Sequence, residues 1–331
     1  MARQCKRWAR TAGIALLASL GLAAGPADDA PGPADEPGPN GFRLTDLRVP
    51  RAEIRAGGPP RDGIRSVDSP AFAALADAGW VGPRDPVIGL AAGDDARAYP
   101  VHVMERHQIV NDVVDGKPVV VTYDPLSGAP LAFDRELGDR TLEFGVSGLL
   151  HNAGFLLYDR ATESLWIQFT GEAVAGLLAG RRLQRRRVRQ ELLGSWAGRH
   201  PETRVLARPD PSRIDYRHSP YERYWTQNRA PFPVKAEDRR FHAKELVVGV
   251  VADGEVRAYL GSLVTAAGGR LEDRLGKHAV TIDYDSADGV FRWEIPAAVQ
   301  VTEAYWFAWK AFRPRTSVWR DPGELPELPQ D

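Results

Sequence analysis

Two stretches of this chain, 160 residues apart, spell the same short pattern, and that repetition narrows the folds open to it. Asp85-Pro86-Val87-Ile88-Gly89-Leu90-Ala91-Ala92-Gly93-Asp94-Asp95-Ala96-Arg97-Ala98-Tyr99 is matched by Glu245-Leu246-Val247-Val248-Gly249-Val250-Val251-Ala252-Asp253-Gly254-Glu255-Val256-Arg257-Ala258-Tyr259. The likeness continues through Gly116-Lys117 and Gly276-Lys277. One residue later it includes Val121-Thr122-Tyr123-Asp124 and Ile282-Asp283-Tyr284-Asp285. In each copy, β-branched runs flank Gly/Asp turns, so each reads as a hairpin, a crossover, then a further strand and turn. Such a unit leaves one apolar face uncovered, and two copies can cover each other about a pseudo-two-fold axis. The expected architecture is mainly β with a few short helices (α+β), with an internally duplicated β core whose repeats lie near 85–135 and 245–293.

The remaining pattern agrees with a β core. Val87-Ile88-Gly89-Leu90, Arg97-Ala98-Tyr99, Val119 to Tyr123, Phe155 to Tyr158 and Leu165 to Gln168 are short β-branched or aromatic runs between turn-forming residues. One helix is expected from Ser69, with Pro70 at its first position and Phe72, Leu75 and Ala76 on one face. Another is expected around 191–198. Residues 25–41 are Pro, Gly, Ala, Asp and Glu with little apolar bulk and read as a disordered linker. Residues 314–331, with Pro314, Pro322, Pro326 and Pro329, read as an irregular tail. A single domain is expected over 42–313.

Residues 1–24 have the form of a secretory signal: Arg3, Lys6, Arg7 and Arg10, then an apolar core from Ile14 to Ala24 ending in small residues. That core is well short of the roughly 20 apolar residues a membrane span needs, so no stable span is expected in the mature chain. The single cysteine, Cys5, precedes it. A processed chain therefore has no disulfide, thiolate metal site or thiol nucleophile. A formal net charge of −1 gives no global case for nucleic acid.

Several separate motifs resemble the DUF3179 family of uncharacterised bacterial and archaeal proteins. They include Ser66-Val67-Asp68-Ser69-Pro70, Ala96 to Pro100, His107 to Asp112, Val119 to Tyr123 and Phe144 to Leu150. Further on come Tyr158 to Gln168, Gly171-Glu172-Ala173, His200 to Leu206, Pro220-Tyr221-Glu222-Arg223-Tyr224 and Lys244 to Val250. The family usually reads Cys-Pro-Leu-Cys-Gly after the tyrosine, and some members are described as selenoproteins there, which implies thiol or selenol redox chemistry for those members. Here the segment reads Tyr123-Asp124-Pro125-Leu126-Ser127-Gly128, with Asp124 and Ser127 at the cysteine positions, so that implication does not extend to this chain.

Two constellations are candidates for chemistry. The first is His107, Asn111, Asp112, Asp124 and Ser127. These residues suit a His–carboxylate acid/base pair, a hard-cation site or a structural turn in which Asp124 caps backbone N–H groups. A Ser127–His107–Asp124 hydrolase fits by residue type but lacks a Gly-x-Ser-x-Gly elbow. In the family, the His segment precedes the dicysteine turn, which implies one shared pocket holding His107 near the Asp124–Ser127 turn. The second constellation is Ser147, His151, Asn152, Asp159, Ser164, Trp166, Gln168 and Glu172. Alternation places Ser164, Trp166 and Gln168 on one face and Leu165 and Ile167 on the other. That set suits either a cleft for a sugar, amide or peptide, or a buried hydrogen-bond network.

The basic run Arg181 to Arg189 suits either an anion or lipid-headgroup patch or a solvated, partly helical connector. Tyr305 to Phe312 suits either an interface belt or a core element closing the fold. No phosphate loop, dinucleotide fingerprint, zinc pattern or haem motif names a cofactor, and His102, His107 and His151 are too dispersed to name a metal. The expected protein is exported, non-redox, and binds a small molecule or protein as a ligand-binding or scaffolding member of its family. The alternative is a hydrolytic or metal-dependent enzyme using His107 and Asp124 in a polar cleft.

Overall fold

The computed structural model describes residues 38–152, 154–230 and 232–320. Its fold is mainly β. Five short helices punctuate the described residues: α1 (Val101–His107), α2 (Leu193–Arg199), α3 (Glu222–Trp225), α4 (Gly261–Ala266) and α5 (Trp306–Phe312). None is long and apolar enough to cross a membrane.

Five larger sheets hold the chain. Sheet I orders Arg189–Leu192, Pro86–Ala92, Asp95–Pro100, Arg204–Leu206 and Phe72–Ala74. Sheet II orders Arg185–Arg186, Ala129–Asp134, Lys117–Asp124 and Ile109–Val114. Sheet III orders Ile54–Ala56, Phe144–His151, Gly154–Asp159, Leu165–Ile167 and Glu172–Ala175. Sheet IV orders Gln300–Tyr305, Leu246–Ala252, Glu255–Leu260 and Ser317–Val318. Sheet V is Arg270–Leu275, His278–Asp285 and Val290–Glu294.

The sheets form a propeller-like ring because each buries apolar residues against its neighbours. Ile88, Leu90 and Tyr99 of sheet I meet Val110 and Val121 of sheet II. Val120, Leu131 and Phe133 of sheet II meet Phe144, Leu157 and Trp166 of sheet III. Leu156, Leu165 and Ile167 of sheet III pack with Val247 of sheet IV and with Trp306 and Trp309 of α5. Val248, Val250 and Tyr259 of sheet IV meet Leu271, Ile282 and Phe291 of sheet V. Between sheets V and I, Arg189 lies 3.8 Å over the Trp293 ring and donates to its carbonyl.

Residues 86–134 and 246–294 share an element order: hairpin, short helix, three-stranded meander. Their registers also agree, with Val87 opposite Pro100 and Val247 opposite Leu260, then Asp124 opposite Ala129 and Asp285 opposite Val290. Tyr99 donates its hydroxyl to Asp112 at 2.6 Å, and Tyr259 donates to Asp273 at 2.7 Å. Each unit is closed by a β–α–β segment whose tryptophan lies over a glycine: Trp196 of α2 over Gly89, Trp309 of α5 over Gly249. Trp196 donates to Thr203 at 2.8 Å and Trp309 to Thr316 at 3.0 Å.

The units differ where sheet III intervenes. It is built mainly from residues between the first meander and its closing segment, a stretch the second unit lacks. The face of sheet II that meets sheet III carries Ile109, Val120, Leu131 and Phe133. Their register counterparts in sheet V are Arg270, Thr281, Arg292 and Glu294, side chains suited to water.

Several sequence expectations change. Phe72–Ala74 is a strand followed by a 3₁₀ turn at Leu75–Asp77, not a helix from Ser69. Strand Arg204–Leu206 pairs with it, and Phe72 packs edge-on to Tyr99, so tertiary pairing overrides the local helix cue. The helix expected at 191–198 is α2. The basic run forms two strands, Arg185–Arg186 and Arg189–Leu192, and is not helical. At the end of the expected linker, residues 38–41 form a turn whose Asn40 side chain donates to the Ser147 carbonyl at 2.9 Å. Within the expected tail, Ser317–Val318 adds a parallel strand to sheet IV. The signal-like segment, residues 25–37 of the linker and residues 321–331 of the tail lie outside the described residues.

Candidate functional site

The site is built on the turn that ends strand Lys117–Asp124. Pro125 fixes a backbone angle suited to turning, and Gly128 returns the chain at φ 65, a left-handed value that glycine adopts without Cβ strain. Asp124 is fully buried. Its Oδ1 accepts the Leu126 N–H at 2.9 Å and its Oδ2 the Phe155 N–H at 3.4 Å. The buried Ser127 hydroxyl lies close enough to favour the ionised carboxylate, but falls outside regular hydrogen-bond geometry. Burial outweighs these contacts and pushes the Asp124 carboxyl up to about 6.

A cleft of about 250 Å³ opens at this carboxyl, between sheets II and III. Ile64, Leu126, Val146, Leu150, Phe155 and Phe232 give it an apolar wall. Gln108 and Tyr221 join Asp124 as its polar members, and Gln108 Nε2 donates to the Tyr221 hydroxyl at 3.2 Å. Around the turn, Tyr224 donates its hydroxyl to the Leu126 carbonyl at 2.6 Å and Tyr305 its N–H to the Ser127 carbonyl at 2.7 Å. Burial, and then the Asp124 charge, raise the Tyr224 hydroxyl pKa; burial, then the Glu105 charge and after it Asp124, raise that of Tyr305. Burial also raises the nearby Glu105 carboxyl. The result is a buried titratable acid facing an apolar cleft, within a shell of protonated tyrosines that also holds the Glu105 carboxyl.

The other expected site residues are placed differently. His107 ends α1 with Nδ1 donating to the Arg65 carbonyl at 2.8 Å and Nε2 2.7 Å from the Tyr216 hydroxyl, over which its ring stacks. Its neighbour Gln108, in the left-handed conformation at φ 60, takes the place in the cleft. No hydrogen bond or ion pair joins His107 to Asp124 among the described residues; the His107 ring nitrogens meet Arg65 and Tyr216 instead. The reason lies in the backbone: the helix cap at Gln108 turns consecutive side chains to different partners. Asn111 binds Asp68 and both backbone groups of Phe144, tying sheet II to sheet III. Asp112 receives Tyr99.

The second constellation is a buried network. Asp159 accepts from Thr162 and from Trp166 Nε1 at 3.0 Å, and Ser164 accepts the Leu178 N–H. Gln168 Nε2 donates to the Thr122 hydroxyl and the Ala129 carbonyl, both at 3.0 Å. Ser147 braces a bulge in strand Phe144–His151. Asn152 bridges the Ala311 carbonyl and the Lys235 N–H. His151 meets Glu53 at 3.0 Å, and Glu172 pairs with Arg182. Leu165 and Ile167 face the core shared with sheet IV while Trp166 faces sheet II, so both faces of this strand are covered. Among the described residues no group of three or more His, Cys, Asp or Glu side chains could hold a metal ion.

The residues that sequence reasoning missed are Gln108, Tyr221, Tyr224, Tyr305 and Glu105. Tyr221 and Tyr224 stood in plain view in Pro220-Tyr221-Glu222-Arg223-Tyr224, a motif distant in sequence from the turn they surround. The chain belongs to the family described as "Protein of unknown function (DUF3179)", whose profile matches residues 61–294. That span includes every residue of the Asp124 turn and the cleft wall apart from Gly57 and Pro59. Neither the curated proteins nor the solved structures contain a match.

Proposed function

We propose that this chain is an exported protein that binds a small, mostly apolar molecule with one polar head in the cleft at Asp124. The observation that carries the reading is a fully buried carboxyl, titrating near pH 6, that faces an apolar cleft of about 250 Å³. Below that pH the acid donates a hydrogen bond to a ligand oxygen, and above it the carboxylate accepts one from a ligand N–H. Few convergent polar groups in an otherwise apolar cleft are the usual composition of a small-molecule site. Asp124 and Ser127, standing where the family carries cysteines, favour binding over thiol redox chemistry. Export is supported by the basic start and the apolar Ile14–Ala24 segment.

We also infer that residues 85–135 and 245–293 are copies of one unit. Shared register, paired Tyr–Asp bonds and paired Trp–Gly contacts support that reading. On it, sheet III is an addition to the first copy, and what it adds is the cover over Asp124.

Thermal unfolding with hexanamide and decanamide tests the binding proposal. Saturable stabilisation of the wild-type protein is expected, with loss of the response in Ile64→Trp, which fills the cleft, and a weakened response in Asp124→Asn. No response in the wild-type protein, or an equal one in Ile64→Trp, would overturn it.

A further inference from the structure

The basic run from Arg181 to Arg189 is not used by the Asp124 site, and its charges are unevenly matched. Arg182 pairs with Glu172 at 2.6 Å and Arg186 with Asp134 at 2.5 Å. Arg187 donates to the carbonyls of Ile295, Pro296 and Val299, and Arg189 to that of Trp293. The Arg185 side chain has no hydrogen bond or ion pair among the described residues. The charge that acts on it is another cation, Arg313 at the end of α5, whose side chain donates to the Phe312 carbonyl. Arg182 in turn lies near Arg313. Burial, then the Arg313 charge, lowers the Arg185 guanidinium to about 9.

Arg185 is half-buried, and a guanidinium beside a second cation with no carboxylate partner is stabilised when an anion joins it. Arg185 also borders an open cleft of about 230 Å³, where residues 184–187 face residues 297–301. We propose that Arg185 anchors a site for a small oxyanion, a carboxylate or a phosphate, in this cleft. The planar fork of a free guanidinium matches two oxygens of such a group. Arg187 is held against the opposite wall by its three carbonyl contacts, so its positive charge is fixed beside the anion and needs little reordering. The cleft is distinct from the Asp124 cleft and shares no lining residue with it.

Thermal unfolding and calorimetric titration with sodium phosphate, against sodium chloride at matched ionic strength, test the proposal. The wild-type protein is expected to show saturable stabilisation by phosphate. Arg185→Gln is expected to lose about tenfold to a hundredfold in phosphate affinity, the scale of one charge-assisted hydrogen bond, and to unfold no earlier than wild type without phosphate. Arg185→Lys, which keeps the charge and loses the fork, is expected to fall between them and carries the test should Arg185→Gln fail to fold. Sedimentation with phosphatidylglycerol vesicles separates the two sources of the group: Arg185-dependent sedimentation assigns a lipid headgroup, and a response to phosphate alone assigns a free anion. The site is overturned if wild type responds to neither probe, or if both variants respond as wild type does.

Discussion

Asp124 and Asp285 end strands of matching register and open turns that both return through a glycine at φ 65, yet of the two only Asp124 is buried. Asp285 accepts the Ala287 and Asp288 N–H groups at 3.0 and 3.3 Å, the ordinary work of an aspartate in a turn. Asp124 performs the same task for Leu126 and also receives Phe155 from sheet III. Sheet III therefore makes a buried acid of a residue whose register counterpart only caps its turn. The polar face of sheet V, with Arg270 and Arg292 where sheet II has Ile109 and Leu131, explains why the second turn has no such cover.

The buried acid imposes a pH dependence. Its carboxyl titrates near 6 when folded, against 3.8 for a free aspartate, so the folded state holds the proton more tightly. Its contribution to stability is full below about pH 4, is lost as pH rises through about 6, and stays lost above that. The total change is on the order of 3 kcal/mol. Urea unfolding of wild type and Asp124→Asn between these limits measures it. The difference between the two proteins should move in favour of the variant as pH rises, and a difference independent of pH would contradict the burial.

Gly128 and Gly289 separate backbone strain from crowding. A Cβ at Gly289 would meet only open space, whereas one at Gly128 would lie 3.0 Å from the Tyr305 ring. Gly289→Ala should cost about 1 kcal/mol from its left-handed backbone alone. Gly128→Ala should cost about 1–3 kcal/mol more, because Tyr305 is held by its own N–H bond to Ser127 and cannot withdraw freely. Equal losses in chemical denaturation would contradict the close packing of Tyr305 on this turn.

The glycines beneath the two tryptophans test the likeness of the units. A Cβ at Gly89 would collide with Trp196, and one at Gly249 with Trp309. Each alanine substitution should destabilise by about 1–3 kcal/mol or more, and pairing Gly89→Ala with Trp196→Leu should recover part of the loss. Additive losses in that double-mutant cycle would show that the indole is not what excludes the side chain.

The shared tyrosine bonds give a parallel expectation. Tyr99→Phe leaves Asp112 without its 2.6 Å donor, and Tyr259→Phe leaves Asp273 without its 2.7 Å donor. A loss of about 1–3 kcal/mol is expected at the fully buried Tyr99. The effect at Tyr259 should be smaller, since Arg257 also binds Asp273.

Much of this arrangement is written locally in the chain. The strands around Val87, Val121, Leu156 and Trp166 follow from β-branched and aromatic runs between turn residues. What was not legible depends on distant partners. Phe72 is drawn into a strand by Val205 and Leu206, more than a hundred residues away, against the helix cue of Pro70. Arg185 and Arg189 pair as strands although their composition suggests a solvated connector. At the site, Asp124 was identifiable from the motif it interrupts, but the exchange of His107 for Gln108 depends on one left-handed residue at a helix end. Tyr221 and Tyr224 reach the turn from a segment whose spacing carries no sign of that contact.

The measurement that bears most directly on this account is the titration of the Asp124 carboxyl carbon by ¹³C NMR, assigned by comparison with Asp124→Asn. A midpoint near pH 6 is expected for the free protein, moving when decanamide occupies the cleft. A midpoint near 4, unmoved by the amide, would mean that water reaches this carboxyl freely and that the turn is structural in both halves of the chain.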